Sequence, residues 1–220
     1  NSSVLLHIHN IQKYYGSNNS NIVKALDDIS FDVQKGEFLG IMGSSGAGKS
    51  TLLNCISTID SVSAGKIILD GKEVNLLKDK MLARFRRENL GFIFQDFSLL
   101  DNLTIYDNIA LALTINNVPT DVIKKKVEHV AKQLGIYEIL QHYPYETSGG
   151  QKQRCACARA IINEPKLVLA DEPTAALDSE NSEEVMKLLL SMKNEKRIII
   201  IATHNPAIWK MADEVVELSR

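Results

Sequence analysis

The run Gly43-Ser44-Ser45-Gly46-Ala47-Gly48-Lys49-Ser50-Thr51 is entered from the apolar segment Phe38-Leu39-Gly40-Ile41-Met42 and continues into Leu52-Leu53-Asn54-Cys55-Ile56. This order reads as a strand, a glycine-rich turn and the start of a helix, and it fits the template G-x-x-x-x-G-K-[ST] residue for residue. The chemistry of a nucleoside triphosphate explains the residue types. Gly43, Gly46 and Gly48 can take backbone angles that turn successive N–H groups toward crowded phosphate oxygens with no Cβ in the way. The positive end of the helix that follows faces the same anion. Lys49 reaches the β and γ phosphates as a point charge, and the Ser50 hydroxyl is placed to ligate Mg²⁺.

Around this stretch, the whole chain bounds the possibilities. Its 220 residues suffice for one α/β domain with a substantial core, or a core plus a subdomain. A hydrophobic content of 45% with 24% charged residues is that of an ordinary globular protein. The net charge of −2 argues against extended nucleic-acid binding. No apolar run approaches the roughly 20 residues of a membrane span, and no signal peptide opens the chain. The run Ile198 to Ala202 has strand length and reads as a buried parallel strand. The cysteines, Cys55, Cys155 and Cys157, are odd in number with no paired C-x-x-C units, which indicates neither a disulfide framework nor zinc and fits a cytosolic setting.

Val4 to Gln12 alternates as a strand with His7 and His9 on its polar face. With no further ligand nearby in sequence, these histidines read as a solvated face rather than a metal site. Tyr15 precedes a polar loop and either packs or stacks on a base. Ala25 to Val33 and Gly65 to Asp70 are further strands, and Lys78 to Arg87, with Arg84, Arg86 and Arg87, reads as a solvated helix face. Leu90 to Phe94 is a buried strand ending at Gln95, where a side chain at the carboxyl edge of a parallel sheet can reach Mg²⁺ or an attacking water. From Asp96 to Tyr145 helical signals replace strand signals, as an insertion of about fifty residues, within the size of a subdomain. Its apolar block Phe97, Leu99, Leu100 and Leu103 either packs internally or offers a docking surface.

A second informative stretch follows: Glu146-Thr147-Ser148-Gly149-Gly150-Gln151-Lys152-Gln153-Arg154, leading into an alanine-rich helix. Ser148 supplies an N-cap and the two glycines an open backbone, so this helix start is another anion cradle. One triphosphate does not ordinarily use two cradles on separate subdomains of one chain. The economical inference is that this cradle serves a nucleotide bound to a second copy. The strand Lys166 to Ala170 then delivers Asp171 and Glu172 at its carboxyl end, followed by Pro173. Asp171 can hold Mg²⁺ and Glu172 can polarise a water for attack on the γ phosphate. After Ile198 to Ala202, His204 can contact the γ phosphate or hold water and glutamate in line. Trp209 reads as a packing residue.

Taken together, these motifs resemble, over the whole chain and in the family's order, the ATP-binding cassette of an ABC transporter. Gly43 to Ser50 resembles the Walker A loop, with Ser44, Ser45, Gly46, Ala47 and Thr51 carried along as nucleotide-binding positions. Gln95 resembles the Q-loop, and Thr147 to Gln151, with Ser148, Gly149 and Gly150 intact, the ABC signature. Leu167 to Asp171 resembles Walker B with Glu172 beyond it, Ala176 to Asp178 the D-loop, and His204 the H-loop. Thr147 departs from the family's usual leucine. Tyr15 falls where the family has its base-stacking aromatic.

The resemblance implies an α/β fold: a P-loop NTPase core with a mostly parallel sheet, an N-terminal antiparallel β subdomain and an inserted α-helical subdomain. It divides the single domain 1–220 into a nucleotide-binding core, 1–95 with 150–220, and a helical subdomain, 96–149. It further implies ATP and Mg²⁺ as cofactors, with Ser50, Gln95 and Asp171 as metal ligands. The implied partners are a second copy in a head-to-tail dimer around two ATP molecules and a separate integral membrane permease, and the implied location is the cytoplasmic face of the membrane. Segments such as G-F-I-F-Q-D-F-S-L-L-D-N-L-T look like the lipoprotein-release, macrolide-export and bacitracin-type peptide-antibiotic resistance ATPases. A soluble translation or repair ATPase of the same family usually carries two cassettes or a long coiled-coil insertion, and this chain has neither. A non-hydrolysing regulatory module is disfavoured by the presence of Glu172 and His204.

Overall fold

The computed structural model describes residues 4–16, 22–43 and 48–218. The loop positions Ser44, Ser45, Gly46 and Ala47, and the polar loop after Gly16, lie outside the described residues. In chain order the elements are β1 (Val4–Tyr15), β2 (Val23–Gln34), β3 (Phe38–Met42), α1 (Lys49–Ile56), β4 (Ala64–Leu69), β5 (Lys72–Glu73) and α2 (Asp79–Asn89). There follow β6 (Leu90–Ile93), α3 (Ile105–Ile115), α4 (Thr120–Gln133), α5 (Gly149–Ile161), β7 (Leu167–Asp171), α6 (Ser179–Ser191), β8 (Ile198–Ala202), α7 (Pro206–Met211) and β9 (Glu214–Glu217). The chain forms two compact units, Asn1–Arg86 with Lys193–Arg220, and Arg87–Met192.

The first unit holds an antiparallel sheet in the order β2-β1-β4-β5. In β1, Leu6 and Ile8 are buried while His7 and His9 point the other way, as the two-residue period of a strand requires, and a register shift at Asn10, with φ 51°, brings Ile11 back to the buried face. The same unit holds a parallel group in which β3 lies between β8 and β9, Gly40 pairing with Ile201 on one side and Val215 on the other. Ile198 through Ala202 are all buried, the signature of a parallel strand covered on both faces. Helix α1 buries Leu52, Leu53 and Ile56. Only part of the basic run on α2 is a solvated face. Arg86 turns inward, donating from Nε to the Thr58 hydroxyl at 2.6 Å and from Nη2 to the Thr58 carbonyl. It thereby satisfies acceptors just beyond the end of α1, where Thr58 adopts a left-handed φ of 66°. Trp209 is 36% exposed and so packs only in part.

In the second unit β6 and β7 pair in parallel, from Leu90 opposite Leu167 to Ile93 opposite Ala170. Helix α5 packs on β6, and α3 and α6 pack on α5. The Thr104 hydroxyl caps α3 by accepting from the Asp107 N–H at 3.1 Å. Asn108, 1% exposed, fixes the segment before α3. Its Oδ1 accepts from the Leu100 N–H at 2.8 Å, and its Nδ2 donates to the carbonyls of Leu100, Leu103 and Thr104. Leu100 itself remains exposed. The thiols of Cys155 and Cys157, on the buried face of α5, are each pushed up to about 12 by burial, and burial pushes Cys55 on α1 up to about 11. These are packing residues and poor nucleophiles.

Candidate active site

In the first unit the phosphate loop leaves β3 and delivers Gly48 to the head of α1. Gly48 has φ 97°, and a Cβ there would lie 2.6 Å from the Ala25 carbonyl oxygen, so both conformation and space exclude a side chain. Lys49 is buried, and its ammonium donates to the Gly43 carbonyl at 2.6 Å, just beyond the end of β3. Ser50 is exposed on the first turn of α1. Tyr15, 44% exposed, donates its hydroxyl to Asp60 at 2.7 Å. Asp60 in turn takes an ion pair from Lys13 at 2.9 Å, and the Lys13 ammonium sits 5.2 Å from the Tyr15 ring centroid.

The hydrogen bond between them raises the phenol's pKa and lowers that of Asp60, whose carboxylate is also held down by Lys13. At the carboxyl end of β8, the Thr203 N–H donates to the Ile41 carbonyl at 3.1 Å. The exposed His204 therefore emerges at the same edge of the parallel strands from which the phosphate loop departs.

The second unit brings Gln95, Asp171 and Glu172 to one edge. The paired strands β6 and β7 end together, Gln95 standing exposed in the turn after Ile93 and Asp171 closing β7. Glu172 adopts a left-handed φ of 47°. Such a conformation costs an ordinary residue about 1–2 kcal/mol, and here it re-aims the chain before Pro173. Gln153 of α5 is fully buried and ties both strand exits together. Its Nε2 donates to the Pro173 carbonyl and, at 3.4 Å, to the Phe94 carbonyl. Arg159 of the same helix donates to the carbonyls of Ser98 at 2.7 Å and Phe97 at 3.0 Å, bracing two left-handed residues after Gln95.

At the head of α5 the Ser148 hydroxyl accepts from the Gln151 N–H at 3.2 Å, and the Gln151 Oε1 accepts from the Ser148 N–H at 3.0 Å. This reciprocal capping box fixes the helix start. A Cβ on Gly150 would meet Asn181 Oδ1 at 2.5 Å, so any larger residue there must displace the Asn181 side chain of α6. Where the family's leucine is replaced, Thr147 donates its hydroxyl to the Pro144 carbonyl at 2.7 Å and needs no apolar pocket. Asp178 caps α6, accepting from the Asn181 N–H at 2.8 Å.

Sequence reasoning missed Gln153, Arg159 and the Lys13–Asp60 pair. Gln153 and Arg159 sit on a helix whose alanine-rich pattern signals only packing. It also missed the neighbour of His7 and His9: Asp32, from β2, stands opposite His7.

A glycine-led helix start following a parallel strand, with acidic residues closing a second parallel strand, defines a P-loop nucleoside triphosphatase. Residues 26–175 match the family described as ABC transporter. The bacitracin export ATP-binding protein BceA of Halalkalibacterium halodurans is 46% identical over 215 residues, covering 96% of this chain and 84% of that protein. The macrolide export ATP-binding/permease protein MacB 1/2 of Paracoccus denitrificans is 38% identical over 215 residues, covering 98% of this chain and 32% of that protein. Among solved structures, the dimeric post-hydrolysis state of the ATP-binding cassette MJ0796 bound to ADP and Pi has a TM-score of 0.87 at 33% identity, covering 98% of this chain and 94% of that one. The chain belongs to the ABC transporter family, as an ATP-binding and ATP-hydrolysing cassette. Among the described residues no helix is long and apolar enough to cross a membrane.

Proposed function

We propose that this chain powers a separate membrane permease, at whose cytoplasmic face it sits, by binding Mg²⁺-ATP between two copies and hydrolysing it. The observation that carries the reading is the presence of two glycine-led helix starts in different compact units: Gly48 before α1, and Gly149–Gly150 opening α5. The first, with residues 43–51 and Tyr15, holds phosphates and base. The second, Ser148 to Gln151, caps the γ phosphate of the nucleotide held by the other copy. The Ser50 hydroxyl, Gln95 amide and Asp171 carboxylate are an all-oxygen donor set, which suits Mg²⁺, and these are the residues that would hold it. Bound there, the ion neutralises phosphate charge. Glu172 accepts a proton from the attacking water, and His204 keeps that water and the γ phosphate in line.

The division into a core, 1–95 with 150–220, and a helical subdomain, 96–149, gives the permease a lever attached to Gln95. The name of the 46% identical relative supports a peptide antibiotic, or a related lipid-linked compound, as cargo. The test is concentration. If two chains build each site, phosphate release per chain rises with protein concentration and then saturates; a rate per chain independent of concentration overturns the dimer. Co-purification of the full-length chain from its native membrane identifies the permease.

The amide of Gln153 gives a further expected result. Gln153→Leu keeps size but removes both donations, loosening the exits that carry Gln95 and Glu172 while leaving Lys49 untouched. It lowers kcat by about tenfold, which corresponds to about 1.4 kcal/mol, with little change in the KM for ATP. Steady-state kinetics alongside a melting curve check this.

A further inference from the structure

We propose that His7, His9 and Asp32 form a binding site for a zinc-class divalent cation on the antiparallel sheet, independent of the nucleotide site. Strand β1 places His7 and His9 on one face two residues apart, and the β1–β2 register sets Asp32 directly opposite His7. Asp32 Oδ1 lies 2.9 Å from His7 Nδ1 and 3.4 Å from His9 Nε2, and one ligand atom from each of the three residues lies within 4.8 Å of the others. The two rings are 5.3 Å apart at 76° to one another, so they converge on the carboxylate from different directions. Around a tetrahedral ion with bonds of about 2.0–2.1 Å, donor atoms stand about 3.3–3.5 Å apart. Side-chain rotations that close the widest of the present separations, at most 4.8 Å, to that spacing convert the cluster into three sides of such a site. All three residues remain half-buried or exposed, which leaves an entry path and an open fourth position for water.

The surroundings favour a cation. Glu214 at the start of β9 has its carboxyl pKa raised by burial and by the nearby charges of Glu37 and Asp32, so three acids crowd this region. Lys66 faces His9 from β4, but it is exposed and its long stem can carry the ammonium into water. Two imidazoles and one carboxylate select zinc, nickel or copper over magnesium, which prefers oxygen ligands and keeps its waters. Mg²⁺ at the nucleotide therefore does not compete. Bound metal would join β1 to β2 across the sheet and stabilise the folded chain by mass action.

The test uses the full chain, stripped with a chelator and kept free of nucleotide, with Mg²⁺ present, and titrated with zinc chloride by calorimetry. Wild type takes up one zinc per chain with a rise in melting temperature. His9→Ala and Asp32→Asn each weaken that uptake by about tenfold or more, the scale on which even outer-shell changes act. Both variants hydrolyse ATP like wild type when zinc is absent, which shows that they are folded. Cobalt in place of zinc gives a visible spectrum without thiolate charge transfer, because all three cysteines are buried elsewhere. Equal zinc uptake by wild type and both variants, or no saturable uptake by wild type, overturns the site.

Discussion

Glu172→Gln stops ATP turnover without preventing ATP binding, and the ATP-bound variant accumulates as a dimer. The substitution keeps the size of the side chain and leaves the bend into Pro173 intact, so the backbone that presents it, with φ 47°, is not disturbed. What it removes is a carboxylate able to accept a proton from the attacking water. Loss of a positioned general base costs about 10²–10⁴ in rate. Lys49 and Tyr15, the residues proposed to hold phosphates and base, belong to the other compact unit. Affinity for ATP therefore stays within a few-fold of wild type, while the step that would separate two copies is blocked. Phosphate release and light scattering after size exclusion, both with Mg²⁺-ATP, read the two halves of the result. Phosphate release at the wild-type rate would remove Glu172 from the chemistry, and a monomer at every concentration would remove the shared site.

How much of this site is visible in the sequence depends on how local each contact is. The end of β3 and the start of α1 at Gly48 and Lys49 are legible locally, because an apolar strand run and a glycine-led helix start lie close together in the chain. The same holds for Asp171 and Glu172 after an apolar strand, and for the Ser148 cap. The braces are not local. Gln153 reaches Phe94 across 59 positions, Arg159 reaches Phe97 across 62, and His7 meets Asp32 across 25. No periodicity marks such pairings, since each is set by which helix lies on which strand end or by β1–β2 register. That is why His7 and His9 read as a solvated face until β2 supplied a carboxylate, and why Arg86 read as surface charge although Thr58 lies beneath it. The replacement of the usual leucine by Thr147 is legible as a change, but its accommodation by the Pro144 carbonyl is not.

Lys49→Ala weakens ATP binding itself, in contrast to Glu172→Gln. The ammonium is buried at the head of α1, where it donates to the Gly43 carbonyl. Charge-assisted hydrogen bonds contribute about 1.5–3 kcal/mol, so their loss weakens binding by about ten- to a hundredfold. If, as proposed, the lysine addresses the β and γ phosphates and Tyr15 the base, the loss falls on ATP and ADP and spares AMP. Tyr15→Ala inverts the pattern, weakening all three nucleotides by the same factor, since each offers the same ring to the aromatic face. Calorimetric titration of both variants with ATP, ADP and AMP separates phosphate recognition from base recognition. Unchanged ATP affinity in Lys49→Ala would mean that the loop between Gly43 and Gly48 does not cradle the phosphates. Lys49→Arg restores the charge but not the compact point donor, so recovery by arginine would indicate long-range attraction rather than a fitted contact as the source of affinity.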